Sequence, residues 1–315
     1  MKLAALDLGS NSFHLLVAQA SGASELSKVG ARKAVLRLGT EVQERGQLGP
    51  AAYHRAFAAV RDLAAAAREL GAEKSMVVAT SALRDARNGL AFCDECRDRL
   101  GLDVELLSGD EEARLAYLGA RSAVPLSTGR VLVADIGGGS VELAGGEGPS
   151  CDSVQTLPLG FLRVGRAFPT HEQGGTARLV RYVQAACEEA HFRVGRGDTL
   201  LLSGGTARAI GKLLGAPCAS VARVLELCHQ LCAASEQSLL ALGVEPARAV
   251  SLSSAAAVVA GVVAALGQRE VRISPRGLRE GVILRELRAG SDHRPRLLRP
   301  PVRRATPTAA RGTGS

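Results

Sequence analysis

The sequence predicts an α/β protein of two similar lobes that face each other across a cleft, and three observations predict it. Residues 131–143, VLVADIGGGSVEL, run from a β-branched apolar stretch through three glycines into a second extended stretch, which reads as strand, tight turn, strand. Residues 3–17, LAALDLGSNSFHLLV, repeat this pattern without a gap, setting Asp7 on Asp135, Gly9 on Gly137, Ser12 on Ser140 and Leu15 on Leu143. Strand and helix periodicities then alternate through the rest of the chain. One glycine hairpin is an ordinary turn, whereas two in register mark an internal duplication.

Both hairpins are candidate anion sites. Gly137, Gly138 and Gly139 carry no side chains, so several backbone N–H groups can converge on one anion at close range, which suits a phosphate. Asp135 ends the first strand, where a carboxylate can hold Mg²⁺ or its water beside that phosphate. Glu142 faces the same side as Ser140 by the two-residue alternation. In the first copy Gly9, Ser10, Asn11 and Ser12 make the turn, and Asp7 takes the place of Asp135.

Between the hairpins, residues 33–38 read as a strand ended by Gly39, and residues 50–70 as a helix stopped by Gly71, with His54 on its surface. MVVAT is a buried strand running into a helix capped by Thr80 or Ser81. Arg84 then falls in the first helical turn, where a cation is disfavoured by the dipole; it is either solvated or matched by a nearby anion. After a strand at 104–107, Ser108 to Glu111 form a capping box that opens the helix EEARLAYLGARSA. Glu111 at N3 is committed to the cap, but Glu112 is not. Glu112 is either a surface glutamate or a general base on water at the entrance to the second lobe.

Residues 125–129 lead into that lobe. Residues 155–159 run into Gly160-Phe161-Leu162-Arg163, a helix covers about 176–191, and Leu200 to Leu202 lead into Ser203-Gly204-Gly205-Thr206 and a further helix. A glycine turn feeding a helix N-terminus is another way to hold phosphate, although the spacing to Lys212-Leu213 is not that of a Walker A loop. Residues 255–266 are a twelve-residue apolar run, short of the ~20 that span a bilayer, and read as a buried helix of small residues rather than a membrane segment. A last helix ends near Arg288.

Composition excludes some classes of function. Aromatics are 3% and Trp is absent, which argues against a stacking platform for single-stranded nucleic acid. The net charge of +8 is mostly a property of residues 291–315, where six Arg against Asp292 give +5. This tail reads as a solvated, disordered end, with weak attraction of a polyanion as the alternative, and no specific nucleic-acid partner is expected. The seven cysteines lack a disulfide framework; the Cys93/Cys96 and Cys228/Cys232 pairs read as reduced helix residues of a cytoplasmic protein, with a four-thiolate zinc site as the alternative. Asp7, Asn11 and His14 interrupt any apolar core of a secretory signal.

With DLGSNS near its start and DIGGGS in its middle, the chain resembles the sugar kinase, Hsp70 and actin superfamily. The segments ATSALRDARN, SGDEEARLAYLG, LPLGFLRV, SGGTA and SPRGLREG, in that order, narrow the resemblance to its exopolyphosphatase and guanosine pentaphosphate phosphatase family, in a short two-domain form. The resemblance spans residue 3 to about 288. It implies two ribonuclease H-like domains of the actin, Hsp70 and sugar-kinase type, at 1–124 and 125–290, with the last helix packing back on the first and a basic tail at 291–315. It further implies Mg²⁺-dependent hydrolysis of the terminal phosphoanhydride of inorganic polyphosphate, or of guanosine pentaphosphate, with a non-catalytic sensor of either as the rival. On this pattern Glu112 activates water, Asp135 and Glu142 organise Mg²⁺ with Asp7 as their neighbour, and Gly9 to Ser12, Arg84, Gly137 to Ser140 and Gly204 to Thr206 bind phosphates. A homodimer is expected from the family. Phe161 and Val141 depart from its usual residues.

Overall fold

The computed structural model describes residues 1–291 apart from 22–24, 126–128, 170–172, 191, 193–194, 196 and 268. The tail proposed from the sequence therefore lies outside the described residues from 292 onward. In chain order the first half contains β1 Lys2–Leu8, β2 Ser12–Ser21, β3 Glu25–Val35, α1 Leu38–Arg45, α2 Pro50–Glu69, β4 Lys74–Ala79, α3 Ser81–Asp85, α4 Gly89–Leu100, β5 Val104–Leu106 and α5 Gly109–Arg121. The second half contains β6 Val131–Ile136, β7 Val141–Gly146, β8 Ser153–Leu157, α6 Phe161–Ala167, α7 Gly175–Glu189, β9 Thr199–Ser203 and α8 Gly204–Leu214. It continues through β10 Cys218–Ser220, α9 Val221–Ala233, α10 Glu236–Ala241, α11 Pro246–Leu266, β11 Glu270–Ile273 and α12 Leu278–Ser291.

The duplication read from the hairpins extends to five strands of each sheet, with β10 an added antiparallel edge on the second. The first sheet has strand order β3-β2-β1-β4-β5, and the second β10-β11-β9-β6-β7-β8. In each, an antiparallel three-strand meander is joined through its first strand to two parallel strands. The architecture is therefore α/β with two sheets of one design. The register is also equivalent: Asp7 pairs with His14 across the first hairpin, as Asp135 pairs with Glu142 across the second.

Period-two alternation distributes each central strand between two cores. In β6, Leu132, Ala134 and Ile136 join the large core under α7, α9 and α11, while Val131 and Val133 pack against Ala113, Tyr117 and Ala120 of α5. In β1, Ala4, Leu6 and Leu8 join the core under α2, while Leu3 and Ala5 pack against Leu278, Val282 and Ile283 of α12. A division of the chain at residue 124 follows chain order; in packing, α5 covers the second sheet and α12 returns to cover the first. These two helices cross at glycine. A Cβ on Gly119 would overlap the Gly277 carbonyl oxygen, and one on Gly281 would overlap that of Leu115, so the helix backbones touch directly.

Several local expectations are corrected. The edge strand is β3, eleven residues long, and ends at Val35. Leu38 and Gly39 instead begin α1, because Arg37 turns the chain in the left-handed region and Asn11 O accepts from the Leu36 and Arg37 N–H groups. Helices α6, α9 and α10 were not expected. Helix α11 starts nine residues before the apolar run, with Pro246 at its first position. By length and composition Arg248–Leu266 could cross a membrane, yet most of it is buried inside the second lobe. Helix α3 has five residues and ends at Asp85, so Arg84 lies in its last turn rather than the first turn of a longer helix.

Candidate active site

The two hairpin turns meet between the lobes. The Gly137 N–H closes its turn on Ser140 O at 3.0 Å. A Cβ on Gly138 would lie 3.3 Å from Asn11 N and 3.1 Å from Leu162 Cδ1, and one on Gly139 would collide with Ser81 Oγ. Only side-chain-free backbone fits there, so one loop rests on the other. From α6, the Phe161 and Leu162 N–H groups donate to Gly137 O and Gly138 O, and Arg163 Nε donates to Gly139 O, bracing the second loop from behind. The third glycine turn reaches the same place: Gly204 adopts φ +92°, and a Cβ on it would lie 2.7 Å from Asp135 Oδ1.

The resulting cleft, with about 120 Å³ of open interior, brings together Asp7, Gly9 to Ser12, Glu112, Asp135, Gly137 to Ser140, Glu142 and Gly204 to Thr206. Arg84 stands just behind it. Its Nη1 donates to Glu112 Oε2 at 3.0 Å and to Leu107 O at 2.8 Å, so the anion that matches this arginine is a carboxylate of the protein.

Each acid is held by a different element. Glu112 is delivered by α5, whose start is fixed by the reciprocal Ser108 and Glu111 capping box, and it is 7% exposed. Asp135 ends β6, and its Oδ1 accepts from Ser203 Oγ at 2.7 Å. Glu142 is 2% exposed, and its Oε1 has no hydrogen-bond partner. Burial pushes Asp7 up to about 6, with Arg279 opposing. Burial also raises Glu112, against the pull of Arg84, and raises Asp135 and Glu142. Four carboxyl groups thus line one cleft, each with its proton affinity raised by burial. Asn11 Oδ1 is likewise buried without a partner.

Positive charge comes from residues the sequence reading passed over. Arg208, Arg248 and Arg279 line the cleft, and among the described residues none has a carboxylate within ion-pair distance. Burial, then the charge of Arg279, lowers Arg208, and burial lowers Arg248. Arg248 Nη1 also donates to Gly205 O at 3.1 Å. His14, the positional counterpart of Glu142, bonds Ser12 Oγ through Nε2 at 2.9 Å. Burial and the surrounding arginines lower His14 to about 3, so it is neutral. Excess cationic side chains around side-chain-free loops can bind a polyanion; the carboxyl cluster can take a proton or a hard cation.

The sequence model of the Ppx/GppA phosphatase family matches residues 16–289. The chain belongs to this family. The protein called exopolyphosphatase 1 in Mycobacterium tuberculosis is 31% identical over 312 residues, covering 93% of this chain and 90% of the relative, and that of Mycobacterium leprae is 31% identical over 310. Among solved structures, the Aquifex aeolicus member of the Ppx/GppA family is 25% identical with TM-score 0.78, over 92% of this chain and 98% of that one. The exopolyphosphatase of Cytophaga hutchinsonii, 23% identical with TM-score 0.79 over 92% and 98% of the two chains, shares the fold. The two-lobed architecture is thus that of the Ppx/GppA family, consistent with an actin-like fold.

Proposed function

We infer that this chain is an exopolyphosphatase, hydrolysing the terminal phosphoanhydride of inorganic polyphosphate and releasing phosphate. The observation that carries the mechanism is a buried glutamate, Glu112, facing paired glycine loops inside a cleft whose arginines lack carboxylate partners. The backbone N–H groups of Gly9 to Ser12 and Gly138 to Ser140 hold the terminal phosphoryl, and Arg208 and Arg279 balance its charge. Glu112 takes a proton from a water that attacks the phosphorus in line; the new O–P bond forms as the bridging P–O bond breaks, and the shortened chain leaves with the negative charge. Its raised proton affinity suits it to accept that proton near neutral pH. Arg84 holds Glu112 in place.

Mg²⁺ fits the residues present. The donors are hard carboxylate oxygens, one of them the unpartnered Glu142 Oε1. Among the described residues no three His, Cys, Asp or Glu side chains are gathered to hold a metal alone, so Mg²⁺ would have to keep waters and share substrate phosphates. Asp135 and Glu142 would hold it, with Asp7 beside them. When bound it would neutralise phosphate charge.

Guanosine pentaphosphate, which ends in the same phosphoanhydride, is the second substrate we propose, on the resemblance of the motifs. Phosphate release with Mg²⁺ from long polyphosphate, tripolyphosphate and guanosine pentaphosphate, measured side by side against Glu112→Gln, tests both. Release that the substitution abolishes supports the hydrolase and ranks its substrates. Binding without release would leave a sensor and overturn this reading.

A further inference from the structure

A second, smaller cavity adjoins the cleft. Asn11, Ser12, His14, Phe161, Thr206 and Arg248 line both, so the two lie side by side along a shared wall. Lys33, Glu245 and Ser251 line only the annex. Lys33 lies on β3 of the first lobe, and Glu245 is the N-cap of α11 in the second. The two form an ion pair across the annex mouth, with side chains 40% and 60% exposed. An exposed pair of this kind contributes little, so another anion can displace Glu245 from Lys33 at small cost.

Resting on the exopolyphosphatase reading above, we propose that this annex carries the phosphates behind the terminal one, with Arg248 as the shared clamp and Lys33 exchanging Glu245 for substrate. Electrostatics selects the exit. Past His14, on the side away from Glu142 and Asp135, lie Arg248 and then Lys33, whose charges attract the phosphates that follow the terminal one. The annex has about 20 Å³ of open interior against about 120 Å³ in the chamber, so it takes a phosphate chain only once Glu245 has moved off Lys33. Glu245 in turn becomes a brake, because it occupies Lys33 until a chain long enough to reach the annex competes for it.

The test is steady-state kinetics of Lys33→Ala and Glu245→Gln on tripolyphosphate, long polyphosphate and guanosine pentaphosphate. Lys33→Ala is expected to raise KM for long polyphosphate about five-fold more than KM for tripolyphosphate, the order of one charge-assisted phosphate contact, with kcat moving little. Glu245→Gln should move the same ratio the opposite way. It leaves the helix start intact, since the Glu245 side chain makes no cap hydrogen bond. If both variants shift short and long polyphosphate alike, or shift neither, the annex assignment falls while the activity stands. An effect confined to guanosine pentaphosphate would overturn it in favour of a nucleotide subsite. A wild-type protein that releases no phosphate from any of the three would sink the activity and the annex together.

Discussion

Asp7→Asn gives a prediction whose size follows from burial alone. Asp7 is half-buried at the floor of the cleft, and its folded-state pKa is raised from 3.8 to about 6, with desolvation the largest cause and Arg279 only partly offsetting it. A carboxyl raised on folding helps the folded state below its unfolded pKa, and that help is lost as pH climbs through the folded pKa. In metal-free protein the ionised Asp7 therefore costs about 3 kcal/mol by pH 8 and only ~0.5 kcal/mol at pH 4. Asparagine keeps the shape and never ionises. With roughly 2.1 cal/mol/K of unfolding entropy per residue, its melting temperature in chelator at pH 8 should rise by about 4–5 °C, and by less than about 1 °C at pH 4. Thermal denaturation of wild type and variant across that pH range, with phosphate release in parallel, is the assay. Stability should go up as activity goes down, the pattern of a group kept for chemistry. An equal gain at both pH values, or none at pH 8, would refute the desolvation argument.

Four further outcomes are expected. Glu112→Gln should lower kcat for phosphate release by roughly 10²- to 10⁴-fold with KM little changed; retained turnover would remove Glu112 from the role of base. Arg208→Ala should raise KM for polyphosphate about ten-fold in initial-rate measurements, and an unaltered KM would show that this buried cation does not meet substrate. Mg²⁺ should raise the melting temperature more at pH 8 than at pH 5, because the acids it screens are ionised only at the higher pH; a shift independent of pH would contradict the site. Gly281→Ala should cost about 3 kcal/mol or more in urea denaturation, since its methyl would overlap the Leu115 carbonyl oxygen, and an unmoved midpoint would deny the backbone contact.

The sequence was most informative where the signal was local or repeated. The two hairpins, the capping box before Glu112 and the glycine turn before α8 depend on neighbouring residues, and the cleft gathers the side chains they carry. Arg84 shows the limit of such reasoning. A cation is disfavoured there only if the helix continues, but α3 stops at Asp85 and the chain leaves Ala86 in an extended conformation. Arg248 and Arg279 do sit in first turns, as the third residue of α11 and the second of α12, where a cation calls for an anion. The α11 start at Pro246 is masked in the sequence by the arginine and serines that precede the apolar run. His14 was legible, because the gapless alignment already set it opposite Glu142. The exchange of α5 and α12 between sheets was not, because nothing within either helix says which distant strand its apolar stripe will cover.

That crossing has a mechanical consequence. Helix α5 touches α12 at Gly119 and presents Glu112 seven residues earlier, a lever arm of about 10 Å at 1.5 Å per residue. A swing of the lobes by ~10° about this fulcrum would carry the carboxylate through nearly 2 Å, more than the ~1 Å misplacement that already costs an enzyme a hundred-fold in rate. Backbone pressed on backbone leaves no side chain to compress and little play in the pivot. The glycines far from the phosphates thus act as a bearing, and the tolerance of that bearing sets how accurately Glu112 is aimed.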